Sequence, residues 1–169
     1  MWEFSKYIAI AYLLLFATYL FVKDNLLNKG NYFLAVFLLV EAFSIMNTLL
    51  WHFYTYTHVH LPYLFYIDNS IFYLRGVSLY LYIRSYTNEH FKLKYFHLVH
   101  LLPFFLLSLL YSFCFHRYSN VEKTRILEEG LFHPLVSFLI DIALHLVIVL
   151  YLILSARELY SYKNRLKNT

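Results

Sequence analysis

Along this chain the polar positions do not alternate with apolar ones as they do on a half-buried strand; they gather at the ends of long uncharged runs. Tyr7 to Val22 carries no charge and is bracketed by Lys6 and Lys23, so its 16 residues become a full membrane crossing once the lysine stems reach toward the headgroups. It ends Thr18-Tyr19-Leu20-Phe21-Val22, without the small residues of a cleavage site, and reads as a retained span. Tyr32 to Trp51 is interrupted only by Glu41, and Leu61 to Arg84 by Asp68 and Arg75. Phe96 to Phe115 holds two histidines, and Leu131 to Ala156 holds Asp141 and His145. Each run exceeds the roughly 10 residues that a membrane strand needs. The pattern predicts an all-α polytopic bundle of five spans near 6–23, 32–52, 61–84, 96–115 and 131–156, with a basic juxtamembrane tail over 157–169.

Composition strengthens this reading. Of 169 residues, 61% are hydrophobic and 14% charged, where a soluble domain carries roughly a quarter charged. A single cysteine, Cys114, leaves neither a disulfide framework nor a cysteine zinc site. The longest connection, Arg117 to Gly130, has no room for a soluble catalytic or nucleic-acid-binding domain. No phosphate loop, nucleophile elbow or Cys/His dyad is present, and the expectation is a protein without catalysis, cofactor or direct nucleic-acid binding, whose first partner is the lipid bilayer.

Charge sets the orientation. Lys23, Lys29, Arg84, Lys92, Lys94, Arg157, Lys163, Arg165 and Lys167 fall on one side of the predicted spans, whereas Lys6, Arg117, Lys123 and Arg125 fall on the other. The positive-inside rule then places the amino terminus outside and the carboxyl terminus in the cytoplasm. Arg157, Lys163, Arg165 and Lys167 serve as the positive-inside anchor, with lipid headgroups as the sharper alternative ligand.

Two stretches resemble a known group. Arg75 to Ser85, RGVSLYLYIRS, followed after Phe91-Lys92-Leu93-Lys94 by His100-Leu101-Leu102-Pro103-Phe104, is similar to the "GP-L-YLY-S … F … H-LPF" pattern of membrane-anchored AraC-type transcription regulators. Asn28-Lys29-Gly30-Asn31 and the basic stretch Tyr160 to Asn168 fit the same layout. Val77 departs from it, since a proline usually follows the glycine there and would kink the span. The resemblance implies a multi-span sensory or anchoring region ahead of a cytoplasmic helix-turn-helix domain, in a bacterial inner membrane. It also implies further spans beyond a tail that has no Gly or Pro stop, so the chain reads as a fragment. An unidentified small ligand and a homodimer are compatible with such a module. The alternative is a stand-alone small membrane protein, either a histidine-dependent metalloenzyme or a subunit of a membrane complex.

Five ionisable residues fall inside the predicted spans, and each costs about 2.5 to 3.5 kcal/mol on insertion scales, so each should face the bundle interior and find a partner. They are Glu41, Asp68, Arg75, Asp141 and His145, the candidates for an intramembrane polar pocket. Glu41 lies nine residues from Tyr32 and Arg75 nine from Arg84, which puts them at one depth on adjacent antiparallel helices and predicts an ion pair. Asp68 and Arg75 share a face but stand roughly 10.5 Å apart along the axis. Asp141 and His145, at i and i+4, should bring a carboxylate to an imidazole. His58 with His60 and His97 with His100 have the spacing of metal-ligand pairs, yet neither has a third ligand at diagnostic spacing.

Overall fold

The computed structural model describes residues 2–22, 30–57, 62–88 and 91–167, and every regular element among them is helical. Helix α1 (Trp2–Val22) and helix α2 (Gly30–Thr57) form a hairpin that closes through alanines: Ala17 and Ala35 are fully buried beside Leu20. Small residues allow two backbones to approach where apolar side chains gain nothing by leaving lipid.

The third predicted span differs from a single helix begun at Leu61, a residue outside the described ones. A short 3₁₀ turn, Pro62–Leu64, leads to Tyr66, whose φ of 64° is left-handed. Only then come α3 (Ile67–Phe72) and α4 (Leu74–Thr87), joined through Tyr73 in right-handed helical geometry. Counting Tyr73, they make 21 consecutive positions, roughly 32 Å, enough for a bilayer core. The left-handed Tyr66 cannot continue a helix, which is why the start moves to Ile67.

Next, the chain changes pitch twice. A 3₁₀ segment (Tyr95–Leu101) passes into α5 (Leu102–Tyr111), with Pro103 in the first turn where its missing N–H leaves no bond unmade, and α5 widens into a π-helical turn (Ser112–His116). The connection that follows holds a helix the span pattern did not predict, α6 (Asn120–Glu129). Ser119 accepts from the Glu122 N–H while the Glu122 carboxylate accepts from the Ser119 N–H, a reciprocal capping box. Gly130, at φ 91°, ends it. The last helix, α7 (Pro134–Lys167), runs 34 residues, roughly 51 Å, well past Ala156.

Among the described residues, four helical stretches are long and apolar enough to cross a membrane: Phe4–Val22, Gly30–Tyr56, His97–His116 and Pro134–Lys167. The α3–α4 unit is absent from that set because it is segmented and carries Asp68, Arg75 and Arg84. It nevertheless occupies the middle of the molecule, with α2 and α7 packed on α4 and α5 on α3. Tyr73, Val77, Tyr80 and Leu81 form the main core with Leu144 and Tyr151 of α7. Large apolar side chains such as Tyr12, Leu15, Phe105, Leu146 and Ile153 point outward instead. This distribution is compatible with a bundle set in hydrocarbon, the charged α3–α4 unit being flanked by the long apolar helices α2 and α7.

Candidate functional site

Glu41, on the middle turns of α2, and Arg75, on the first turn of α4, meet in the contact between those helices. Arg75 Nη2 donates to Glu41 Oε2 at 2.8 Å and Nε lies 2.5 Å from Oε1, so the planar guanidinium edge faces both carboxylate oxygens. The guanidinium carbon also stands 4.2 Å above the ring of Phe72. Both side chains remain about a quarter exposed, at 25% and 26%, toward a cleft of about 360 Å³ lined by Ser44, Asn47, Thr48 and Asp68. Asp68 does not share the arginine; its Oδ2 accepts from the Asn47 amide at 2.6 Å. The cleft thus presents a compensated ion pair beside a carboxylate that accepts from the Asn47 amide.

Asp141 and His145 part company. The imidazole Nδ1 is 2.7 Å from the main-chain carbonyl of Asp141, and the ring lies against Phe72 at 6.0 Å. The expected carboxylate–imidazole contact is therefore replaced by a bond to the helix backbone, because Nδ1 sits close to its own helix and reaches the i−4 carbonyl. The Asp141 side chain lines a separate cavity of about 230 Å³ with Tyr66, Asn69, Tyr111 and Phe132. The five candidates therefore divide between two places, Glu41, Asp68 and Arg75 in the cleft and Asp141 at the second cavity with His145 beside it; Asp141 and His145 are exposed on the outer side of α7, against the expectation that each faces the bundle interior.

His97 and His100 are both engaged by neighbouring groups. His97 Nδ1 accepts from the Lys94 main-chain N–H at 2.9 Å, and His100 Nδ1 lies 2.8 Å from the Tyr151 hydroxyl. Their rings are 6.4 Å apart, and among the described residues no group of three His, Cys, Asp or Glu side chains converges as metal ligands would. His58 and His60 lie outside the described residues.

On the final third of α7, Arg157, Lys163 and Lys167 are exposed, whereas Arg165 Nη2 donates to the Thr87 carbonyl at 3.1 Å. That carbonyl is one of the last on α4, so Arg165 caps the helix with the charge its C-terminal dipole favours. Gly76, one residue beyond the ion-paired arginine, faces α7 so closely that a Cβ would lie 3.0 Å from Tyr151 Cβ. Span counting gave no weight to Gly76, Tyr151 or Asn47. A lone glycine inside an apolar helical run was a signal for the first, while nothing in the pattern pointed to the others.

No protein-family profile, curated protein or solved structure matches the chain.

Proposed function

We propose that the chain is the membrane-embedded input module of a signalling regulator, receiving a cue at the Glu41–Arg75 cleft and carrying it to the basic end of α7. One observation carries this reading: on α4, neighbouring residues contact opposite partners, Arg75 binding α2 and Gly76 seating Tyr151 of α7. A change in the ion pair shifts the helix whose far end is tied to α7 by Arg165 and, at 3.5 Å, by Glu158 on the Thr87 hydroxyl. The module has no catalysis of its own.

In this reading the chain crosses the bilayer five times, through α1, α2, the α3–α4 unit, the stretch centred on α5, and α7. An odd count places the termini on opposite sides, with the carboxyl end cytoplasmic and the membrane a bacterial inner one. The resemblance to membrane-anchored AraC-type regulators supplies the output as further spans and a DNA-binding domain.

The relay is tested with spin labels at Asn88 and Lys163, both exposed, followed by pulsed distance measurement in lipid. Glu41→Gln and Arg75→Gln should each shift or broaden the distance distribution. An unchanged distribution in both variants overturns the relay. Reading the gene downstream tests the output: an in-frame helix-turn-helix supports a regulator, and a stop favours the stand-alone membrane protein.

A further inference from the structure

The second cavity carries features that the relay does not use. Tyr66 and Tyr111 stack with centroids 5.5 Å apart and planes 11° from parallel, and Phe132 sits 6.2 Å from Tyr111. Asn69 fixes the Tyr111 hydroxyl with a 3.0 Å hydrogen bond from its amide. Ser137 and Asp141 complete the polar wall, and the cavity measures about 230 Å³. Two backbone irregularities frame it: Tyr66 is the one described non-glycine residue with positive φ, at 64°, and the π-helical turn begins directly after Tyr111. Left-handed geometry in a bulky residue persists only where its surroundings enforce it, and π-turns are frequent at functional sites.

The charge balance indicates what the cavity lacks. Asp141 has no ion-pair partner among the described residues, since the imidazole one turn away is bonded to the backbone. The described ammonium that approaches this aromatic group, Lys123 Nζ, lies over Phe115 at 6.0 Å, and Phe115 in turn packs edge-on against Tyr66. A carboxylate at membrane depth requires a counter-charge, and aromatic faces attract a cation and repel an anion.

We propose that this cavity binds a primary ammonium ion, with Asp141 as counter-charge, the Tyr111 and Ser137 hydroxyls as further acceptors, and the Tyr66 and Tyr111 rings as its aromatic wall. The ammonium belongs either to a free small amine or to the ethanolamine headgroup of a phospholipid. The cavity lies beside the first turns of α7, Asp141 being seven residues past Pro134, so both sources can reach it. The proposal does not rest on the relay, because its test reads stability and not signalling.

The probe is ethanolamine, titrated at constant ionic strength into protein held in a sugar-headgroup detergent, with ethylene glycol as its neutral counterpart. A saturable rise in Tm is expected with ethanolamine and none with ethylene glycol. Asp141→Asn should weaken the response at least tenfold, while Asp141→Glu retains it. Phe132→Leu, altered in a connecting loop, should weaken it as well and covers the case in which Asp141→Asn does not fold. Nanodiscs separate the sources. If the headgroup is the ligand, phosphatidylethanolamine discs stabilise the protein over phosphatidylcholine discs and free ethanolamine adds nothing in them; if a free amine is, both discs respond alike. No saturable shift with ethanolamine, an equal one with ethylene glycol, or an undiminished one in both Asp141→Asn and Phe132→Leu overturns the proposal.

Discussion

At the scale of single residues, the Glu41–Arg75 pair is the most consequential contact, because in a low-dielectric setting breaking it is worse than never having it. Glu41→Gln leaves an uncompensated guanidinium, whereas Glu41→Gln combined with Arg75→Gln leaves two neutral groups able to hydrogen-bond. A double-mutant cycle on thermal unfolding in detergent should show coupling on the order of 1 kcal/mol or more. Additive losses would mean that the two charges do not act together. Gly76 makes the opposite demand, for absence of bulk. A methyl group there meets Tyr151 Cβ at 3.0 Å, an atom fixed to its own backbone, so α4 and α7 must separate to admit it. Gly76→Ala should cost about 1 to 3 kcal/mol in the same unfolding assay, and an unchanged midpoint would show that the helices part freely.

Elements reveal what a sequence carries and what it hides. The helices at α1, α2, α5 and α7 were legible because uncharged length alone announces them, and the depth match of Glu41 with Arg75 was legible because helical rise is fixed. The pitch changes around α5 and the left-handed Tyr66 left no trace, since Tyr66 is neither Gly nor Asn and its ring packs on Tyr111 and Phe115, residues far away in sequence. Helix α6 was readable, since Ser119-x-x-Glu122 is a capping box and Gly130 a stop, but a polar helix carries no apolar run to announce it. Its stability can be checked at that box. The Glu122 carboxyl is held below the usual carboxylate range by bonds from the Ser119 N–H and hydroxyl. A depressed carboxyl stabilises the folded state above its unfolded pKa and ceases to do so as pH falls through its folded one. Ser119→Ala should therefore speed amide exchange in α6 roughly fivefold at neutral pH. Only the share of the gap that comes from the Ser119 hydroxyl donating to the Glu122 carboxylate should fade as pH drops below roughly 4.3; the share from the Glu122 N–H donating to that hydroxyl persists, and a gap that widens into acid would exclude the carboxylate as a contributor.

For the whole molecule, topology is the quantity to measure. On a Cys114→Ser background, cysteines placed at Leu61 and Ser119 should react with an impermeant thiol reagent in intact cells, and cysteines at Asn28, Asn88 and Asn168 should not. Labelling at Asn168 would reverse the proposed orientation. The segment least able to enter a bilayer alone, α3–α4 with Asp68, Arg75 and Arg84, is also the one on which α2, α5 and α7 pack. Because α2 is synthesised first, its carboxylate at Glu41 is already in place when the guanidinium of Arg75 leaves the ribosome. On the proposed five-span topology, biosynthesis would then follow a built-in sequence in which an acidic helix waits as host and a marginal helix partitions onto it rather than into bare lipid. Replacing Glu41 by leucine would make α2 a better span by hydropathy and at the same time a worse host, leaving α3–α4 stranded on the side from which it was translated.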